Sequence, residues 1–372
     1  MSVTCGFLPT AEAQDGDAPN AGKQIELEWS LLPPLPDPIG FAGPFVGVAG
    51  DALVVAGGAN FPDAAPWDGG AKVWHDRVFV LPDPNGKWIE AGRLPRPLAY
   101  GVAVSWRDRM ILIGGGDAEQ HSTAVTELSW DGRSLTFAEL PALPKRCAFM
   151  TGVLQGDSIF IAGGIETPDS AVALKSLWSL NLAAEHAARK WTSLTPLQTG
   201  RILAQSAVVD GQVLVAGGAD LSRDADGNVQ REFLKDAWLF DVASERWNRA
   251  TDLPRSIVAA PSPGISASPS TTIFLSGDDG RFFGQDLKFQ HPGFPAETFA
   301  FDVRSNRWSQ AAPFPKAVPQ NTGSRHNLGE WPPVTTGVVR WRDRFVIASG
   351  EIRPAVRSPQ VYSVRVTGNH SR

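Results

Sequence analysis

The feature that most constrains this fold is a short apolar strand that ends in glycine and recurs six times along the chain. Four copies end in Gly-Gly and two end in Ser-Gly, and successive copies lie about 50 to 70 residues apart. Such a spacing leaves room for about four strands per unit and is typical of a β-propeller. The final glycines of the six copies are Gly58, Gly115, Gly164, Gly218, Gly277 and Gly350. Glycine suits a backbone that turns with positive φ or packs closely.

A second element alternates with the first. It consists of an aromatic residue, usually six or seven mixed residues, and then a proline followed by a basic residue. Its copies begin at Trp29, Trp88, Phe137, Trp191, Trp247 and Trp308, with looser forms in Phe137 to Pro144-Lys145-Arg146 and in Trp191 to Arg201, where the base does not follow a proline. The copy that begins at Trp29 ends in Pro36-Asp37, with an acid in place of the base. We interpret the aromatic residue as core between adjacent blades and not as a platform for a ligand.

These two elements predict an all-β, six-bladed propeller. The blades are expected at residues 40–91, 98–140, 146–194, 200–250, 256–311 and 317–366. The sixth blade lacks its own tryptophan strand, and a strand at residues 25–29 is predicted to complete it, which removes the free sheet edges. The pattern of diglycine and tryptophan resembles kelch repeats. We expect one domain at residues 25–367 between tails at 1–24 and 368–372.

Composition narrows the possible partners. The net charge of −5 gives no reason to expect nucleic acid or an anionic membrane surface. The apolar runs are shorter than the roughly 18 residues of a membrane helix. The two cysteines, Cys5 and Cys147, predict neither a disulfide nor a cysteine metal site. The six histidines lack metal-ligand spacing and are expected in surface or loop positions.

Residues 1–24 are open to two interpretations. They are small and polar, and Ala11-Glu12-Ala13 has the form of a signal-peptidase site. The segment is either a disordered tail or the remnant of a signal peptide. A remnant would indicate a periplasmic or secreted protein, and a plain tail would indicate a cytoplasmic one.

One face of the propeller is predicted to carry the function. The loops that enter the first strand and leave the second strand of each blade lie on the same face, because the strands alternate in direction. Bases in the first kind of loop include Arg96, Arg146, Arg201, Arg255 and Lys316. Polar and acidic residues in the second kind include Asn60, Asp117, Glu166, Asp220, Asp278, Asp279 and Glu351. Most of this ring is interpreted as structural. Insertions at 59–72, 278–296 and 317–333 lie on the same face, where binding residues usually occur.

The segment from Gly350 to Arg357 concentrates the chemistry. It follows a buried-looking strand and places Glu351 close to Arg353 and Arg357. A carboxylate there can act as a general base, and an arginine can hold a substrate carboxylate through two hydrogen bonds. A plain ion pair that holds the loop explains the same spacing equally well. No metal ligand set, nucleophile elbow or phosphate loop is found in the sequence.

This segment resembles the N-acetylneuraminate mutarotases, a family of six-bladed kelch propellers also called sialic acid epimerases. Their Gly-Glu-x-x-Pro-x-x-Arg pattern is met by Gly350, Glu351, Pro354 and Arg357. The resemblance implies that Glu351 accepts a proton and that Arg357 contacts the substrate carboxylate. Further matches are the segments 43–48 and 53–59 and Ala99-Tyr100-Gly101-Val102. The family's Gly-Arg-Ala-Tyr-Gly appears here as Pro97-Leu98-Ala99-Tyr100-Gly101, without its arginine. The Gly-Glu blade comes last here, as in a cyclically permuted branch of the family.

The resulting hypothesis is a mutarotase that converts α-N-acetylneuraminic acid to the β anomer without a cofactor. Glu351 is the expected catalytic residue. The other candidate substrate-binding residues are Arg357, Arg353, Arg201, Asn60, Tyr100, Arg146, Asp278 and His326. The general acid is left open among His326, Tyr100 and water. The alternatives are a propeller that serves as a protein-interaction module, and an isomerase or lyase for another sugar acid. The sequence leaves the oligomeric state open.

Overall fold

The computed structural model describes residues 25–315 and 331–367. The two predicted tails, the Ala11-Glu12-Ala13 site, Cys5, Lys316 and His326 lie outside the described residues. So does most of the predicted insertion at 317–333. Everything that follows concerns the described part of the chain.

Six four-stranded antiparallel sheets form the blades of a propeller, as the repeat predicts. Blades 1 and 2, with the strand that precedes them, contain β1 (Glu26–Leu32), β2 (Phe45–Ala49), β3 (Ala52–Ala56), β4 (Ala59–Asn60), β5 (Val73–Trp74), β6 (Arg77–Leu81), β7 (Ile89–Arg93), β8 (Val102–Trp106), β9 (Arg109–Ile113), β10 (Val125–Trp130) and β11 (Leu135–Leu140). Blades 3 and 4 contain β12 (Thr151–Gln155), β13 (Ser158–Ala162), β14 (Leu177–Asn181), β15 (Trp191–Ser193), β16 (Gln205–Val209), β17 (Gln212–Ala216), β18 (Ala219–Arg223), β19 (Val229–Phe233), β20 (Ala237–Asp241) and β21 (Arg246–Ala250). Blades 5 and 6 contain β22 (Ile265–Ser268), β23 (Thr271–Leu275), β24 (Thr298–Asp302), β25 (Arg307–Ala311), β26 (Val338–Trp341), β27 (Arg344–Ala348), β28 (Glu351–Arg353), β29 (Val356–Arg357) and β30 (Val361–Thr367).

Three short ribbons project from the blades between the second and third strands. They are β4–β5 in blade 1, β18–β19 in blade 4 and β28–β29 in blade 6. Three single-turn 3-10 helices lie at Pro66–Asp68, His186–Ala188 and Lys288–Gln290. Within the described ranges, no helix is long and apolar enough to cross a membrane.

The sixth blade is closed by the first strand, as predicted. Strand β1 pairs antiparallel with β30 over seven residues, from Glu26 opposite Thr367 to Leu32 opposite Val361. The sheet order is β1-β30-β27-β26, so the outermost strand of blade 6 precedes blade 1 in the chain. This pairing completes the last sheet and joins the two ends of the described chain.

The glycine repeat follows from backbone geometry. Both glycines of the first copy have positive φ, 64° at Gly57 and 97° at Gly58. A Cβ atom on Gly58 would lie 2.6 Å from Cβ of Phe41, so a side chain there would clash. In blades 5 and 6, serine takes the first of the two positions, with φ of 51° at Ser276 and 61° at Ser349. Left-handed backbone is costly but tolerated for a small residue in a well-packed place.

The outer-strand tryptophans hold neighbouring blades together, as the sequence indicates. The indole N–H of Trp191 donates to the carbonyl of Pro141 at 2.8 Å, which links blade 3 to blade 2. Trp88, Trp247 and Trp308 make the corresponding bond to the preceding blade. Phe137 of blade 2 has no N–H to donate and is 37% exposed. The indole therefore adds a directional contact to the apolar packing between blades.

A closed ring of six backbone hydrogen bonds surrounds the propeller axis. Each blade contributes one residue, whose N–H donates to the carbonyl of the ring residue in the neighbouring blade at 2.6 to 2.8 Å. All six have positive φ, between 54° and 63°. The ring residues are Gly43, Tyr100, Phe149, Leu203, Ala259 and Thr335. The ring fixes the backbone positions from which the Tyr100 and Thr335 side chains extend, and both side chains take part in the candidate site.

Candidate functional site

The ring places equivalent residues of the six blades on one face. The residue before each ring residue forms a β-bridge with a residue just after the glycine-ended strand of the same blade. The six bridges join Ala42 to Ala59, Ala99 to Gly116, Ala148 to Ile165, Ile202 to Ala219, Val258 to Asp278, and Val334 to Glu351. The two predicted kinds of loop thus share a face. Only blades 5 and 6 carry an acid at this bridge position.

The ribbon β28–β29 pairs the predicted acid with the predicted base. Glu351 lies opposite Arg357 in the register, and Arg357 Nη1 is 3.2 Å from Glu351 Oε1. The turn between them passes through Ala355, whose φ is 63° and whose N–H donates to Oε1 at 3.0 Å. The spacing of the Gly-Glu-x-x-Pro-x-x-Arg pattern is therefore that of a tight hairpin. It brings the carboxylate and the guanidinium to one side.

Two ring residues complete the surroundings of this pair. The Thr335 hydroxyl donates to Glu351 Oε2 at 3.2 Å. The Arg357 guanidinium lies close enough to the Tyr100 hydroxyl to act on its pKa, which it lowers. Burial, and secondarily the Glu351 charge, raise the pKa of Tyr100, so the phenol stays protonated. The carboxylate is thus held in place by a cation, a hydroxyl and a backbone N–H.

Arg357 is a buried cation. Its side chain is 3% exposed, its Nε donates to the carbonyl of Ala59 at 3.4 Å, and the Phe61 ring lies 4.8 Å from the guanidinium carbon. Its Nη1 is within ion-pair distance of Glu351 but lacks hydrogen-bond geometry, and it has no acceptor among the described residues. A buried N–H without an acceptor is costly. It is a donor that a ligand carboxylate would satisfy.

The structure adds Lys72, which the sequence pattern did not single out. Its Nζ lies 4.4 Å from the centre of the Tyr100 ring and 4.8 Å from that of Trp74. Burial lowers the pKa of Lys72 to about 8; the Glu351 charge raises it and the Arg357 charge lowers it further. Lys72 belongs to the blade 1 insertion, which the sequence placed on this face. Insertion length was the available signal, because no motif marks the residue itself.

Insertions from blades 1 and 5 meet over the blade 6 ribbon. The Trp67 ring packs edge-on against Phe289 with centroids 4.8 Å apart. Arg353 donates from Nη1 to the carbonyl of Phe289 at 3.1 Å, and its guanidinium lies 5.0 Å from the centre of the Trp331 ring. Arg353 therefore contacts the blade 5 insertion, whereas Arg357, on the same ribbon, contacts Glu351.

Three other predicted substrate-binding residues lie outside this cluster. The Asn60 amide is buried and is bonded to the Gly40 carbonyl and to His75. Arg201 is fully buried and makes a two-point ion pair with Asp236, with Nη2 2.9 Å from Oδ2. Arg146 is exposed where the chain enters blade 3.

Blade 5 has a second cluster around Asp278. Burial raises the pKa of Asp278, which accepts the Gly280 N–H at 2.9 Å and lies near Asp279, Arg231 and His291. His291 is buried, with its ring centre 5.3 Å from that of Phe282. His121 is also buried. Both histidines lie in loops between strands, within the expected surface or loop positions, but their rings are buried against aromatic side chains.

The remaining charges of the predicted ring mostly pair within their own blades. Arg96 contacts Asp117, and Lys145 lies 3.3 Å from Glu166. Arg255 donates to the carbonyls of Ser276 and Gly277. Across residues 25–315 and 331–367, no group of three His, Cys, Asp or Glu side chains is placed to hold a metal ion.

The fold and the site together define a class: a six-bladed β-propeller whose central face holds a carboxylate paired with a buried guanidinium, with a lysine nearby. Comparison with known proteins gives a more particular result. Residues 6–137 match the model of the N-acetylneuraminate epimerase family. The resemblance predicted from the sequence is confirmed for this part of the chain.

Individual relatives agree with the family match. The chain is 42% identical over 130 residues to an N-acetylneuraminate epimerase of Yersinia pestis (strain Pestoides F), covering 29% of this chain and 31% of that protein. It is 37% identical over 144 residues to an N-acetylneuraminate epimerase of Haemophilus influenzae (strain 86-028NP), covering 35% and 37%. The match thus spans about a third of the length of these relatives.

The matched region covers only part of the candidate site. Lys72 and Tyr100 lie inside residues 6–137, whereas Thr335, Glu351 and Arg357 lie outside them. The structure, and not the comparison, brings these two groups of residues together.

Proposed function

We propose that this protein is an N-acetylneuraminate epimerase that acts as a mutarotase, converting the α anomer of N-acetylneuraminic acid to the β anomer. The observation that carries the proposal is the contact of Glu351 with Arg357 and Thr335 on the axial face, with Lys72 close by. The names of the relatives that match blades 1 and 2 support the choice of substrate.

Charge balance favours a ligand with one carboxylate. Glu351 contributes one negative charge, while Arg357 and protonated Lys72 contribute two positive ones. A sugar acid that carries a single carboxylate would neutralise the remainder, and such complementarity favours binding of anions over neutral sugars. An arginine suits the binding of a carboxylate because the parallel N–H groups of its planar guanidinium match the two carboxylate oxygens. The guanidinium lies beneath Phe61, so substrate contact there requires this ring to move aside.

The reaction follows from the position of the carboxylate. Glu351 takes the proton of the anomeric hydroxyl, whose oxygen becomes the carbonyl oxygen of the open-chain keto acid. The bond between the anomeric carbon and the ring oxygen breaks, and its electron pair stays on the ring oxygen, which takes up a proton. Rotation about the bond next to the carbonyl and the reverse steps give the other anomer. The sequence of steps is redox-neutral and uses only acid and base groups.

Several sequence-based expectations remain part of this proposal. They are the single domain at residues 25–367, the cyclically permuted blade order, the absence of a cofactor and the periplasmic or secreted location. The blade order is consistent with a closed ring, because each blade keeps the same neighbours wherever the chain begins.

The test follows the anomers directly. α-N-Acetylneuraminic acid is released in the NMR tube by a sialidase, and the C3 protons are followed with and without the protein. We expect a faster approach to the anomeric equilibrium in proportion to the protein concentration. No acceleration by folded protein would overturn the proposal, and other sugar acids would be tested next.

A further inference from the structure

We propose that Lys72 is the general acid of the site, delivering the proton to the ring oxygen while Glu351 removes the proton from the anomeric hydroxyl. The inference rests on the proposed mutarotase function and assigns the group that this function requires. It joins a residue of blade 1 to the acid of blade 6.

The ammonium group of Lys72 lies against two aromatic rings. Lys72 Nζ lies over the faces of the Tyr100 and Trp74 rings, at 4.4 Å and 4.8 Å from their centres. Aromatic faces attract a cation without taking a proton from it. Among the described residues, no carboxylate lies within ion-pair distance of Nζ. The ammonium protons of Lys72 are therefore not engaged in an ion pair with a described carboxylate.

Lys72 is more accessible to a ligand than Arg357 is. The Arg357 side chain is 3% exposed and lies under Phe61, whereas Lys72 is only partly buried. An arginine guanidinium keeps its proton at any relevant pH, so Arg357 cannot serve as an acid. Lys72 is the cation of the cluster that can both reach a ligand and release a proton.

The charges around Lys72 also suit a proton donor. Among the described residues, the Glu351 carboxylate and the Arg357 guanidinium act electrostatically on Lys72, and the ring of the neutral Tyr100 has its centre 4.4 Å from Nζ. Burial is the main cause that brings the pKa of Lys72 down to about 8, near the value suited to proton transfer at neutral pH. With a pKa of about 8, Lys72 is mostly protonated at pH 7 and can serve as the acid beside Glu351 as the base.

The proton balance is complete. In the forward step Glu351 gains the hydroxyl proton, and the ring oxygen gains a proton from Lys72, which becomes a neutral amine. On reclosure the neutral amine takes the proton back from the attacking hydroxyl, and the Glu351 carboxyl group returns its proton to the carbonyl oxygen. Both groups are restored after one turnover, and no other reactant is needed.

The experiment compares wild type with Lys72→Arg, Lys72→Met and the control Lys87→Arg in the NMR assay. Lys87 is exposed in the loop between β6 and β7, outside the site. We expect both Lys72 variants to lose about 100-fold or more of kcat, as for removal of a general acid. We expect Lys72→Arg to keep the wild-type KM and Lys87→Arg to keep full activity.

The pH profile is a second readout. The enzyme-catalysed rate, after subtraction of the spontaneous rate, should fall as the pH rises through about 8, because the acid is then deprotonated. A 13C NMR titration of the Lys72 side chain should give the same midpoint. Full kcat in Lys72→Arg would show that Lys72 only supplies charge, and would overturn this inference while leaving the mutarotase in place. Wild-type protein without activity would overturn both.

Discussion

Blades 5 and 6 carry an acid at the same place in the repeat, yet the two acids have different surroundings. Glu351 contacts Arg357 and accepts a hydrogen bond from Thr335. Asp278 accepts the Gly280 N–H, has Asp279 beside it, and has a raised pKa. The ring residue of blade 5 is Ala259, which has no hydroxyl to match that of Thr335. The backbone is shared, so the difference comes from the side chains around each acid.

A second pair of positions shows the same contrast. Ser349 of blade 6 accepts the Phe41 N–H at 2.7 Å, and its hydroxyl lies 2.7 Å from the carbonyl of Ser358, next to Arg357. Ser276, its counterpart in blade 5, has a buried hydroxyl without a partner among the described residues. Blade 6 therefore uses its serine to anchor the ribbon of the site, and blade 5 does not. The comparison teaches that one repeat position becomes functional through its local supports.

The largest effect is expected from Glu351→Gln. The amide keeps the shape of the side chain but cannot accept a proton, so the enzyme-catalysed rate should fall by about 100- to 10,000-fold. Circular dichroism should show an unchanged fold. The matched control is Glu166→Gln, a blade 3 acid on the same face that pairs with Lys145 and should keep full activity. A fully active Glu351→Gln protein would reduce Glu351 to a structural role.

Arg357→Met should have the next largest effect. It leaves Glu351 without its cation in a mostly buried place, and we expect a loss of about 3 kcal/mol in the free energy of unfolding. Urea denaturation measures this loss. The double variant Glu351→Gln/Arg357→Met should be more stable than Arg357→Met alone, because the unpaired charge is gone. Equal stability of the two would show that the pair is not coupled.

Ser349→Ala and Ser276→Ala test the second contrast as a matched pair. Both replace serine by alanine at a positive φ, so the backbone cost is the same. Ser349→Ala breaks buried hydrogen bonds and should lower the free energy of unfolding by about 1–3 kcal/mol, whereas Ser276→Ala should be close to neutral. Thermal unfolding of both variants gives the comparison. Equal losses would contradict the role of Ser349 as an anchor.

Asp278→Asn should have the smallest effect, and a stabilising one. Because the folded-state pKa of Asp278 is raised above 3.8, its charged form costs stability at neutral pH, and this cost disappears as the pH falls below the folded-state value. Asparagine removes the charge and still accepts the Gly280 N–H. We expect a gain in stability at pH 7 that shrinks as the pH falls through the folded-state pKa of Asp278 and is gone by about pH 4, where the unfolded chain also takes up the proton. A loss of stability at pH 7 would mean that the charge is paired.

The sequence was sufficient for the fold because the repeat is a backbone requirement. Positive φ at Gly57 and Gly58, and close packing against Phe41, leave little choice of residue. The hydrogen-bonded ring around the axis could not be predicted from the sequence in the same way. Its members share a backbone conformation but range from glycine to tyrosine, so no residue type marks the position.

The site was predictable where its residues are close in sequence. Glu351 and Arg357 lie on one hairpin, and their spacing alone brings them together. Lys72 and Thr335 reach the cluster from other segments, and only the closed arrangement of blades places them there. Arg201 and Asn60 have the right residue types on the right face. Their partners, Asp236 and the Gly40 carbonyl, could not be predicted from a spacing.

The pairing of β1 with β30 has a consequence for how the protein acquires its site during synthesis. The blade that carries Glu351 is assembled from residues 26–32, which are translated before the other five blades, and from residues 338–367, which are translated after them. A nascent chain that has produced five blades still lacks the sixth, and its first strand stays without a partner. The ribosome must release residue 367 before that strand can dock. A product truncated before β30 therefore leaves β1 without its partner strand and the sixth blade incomplete.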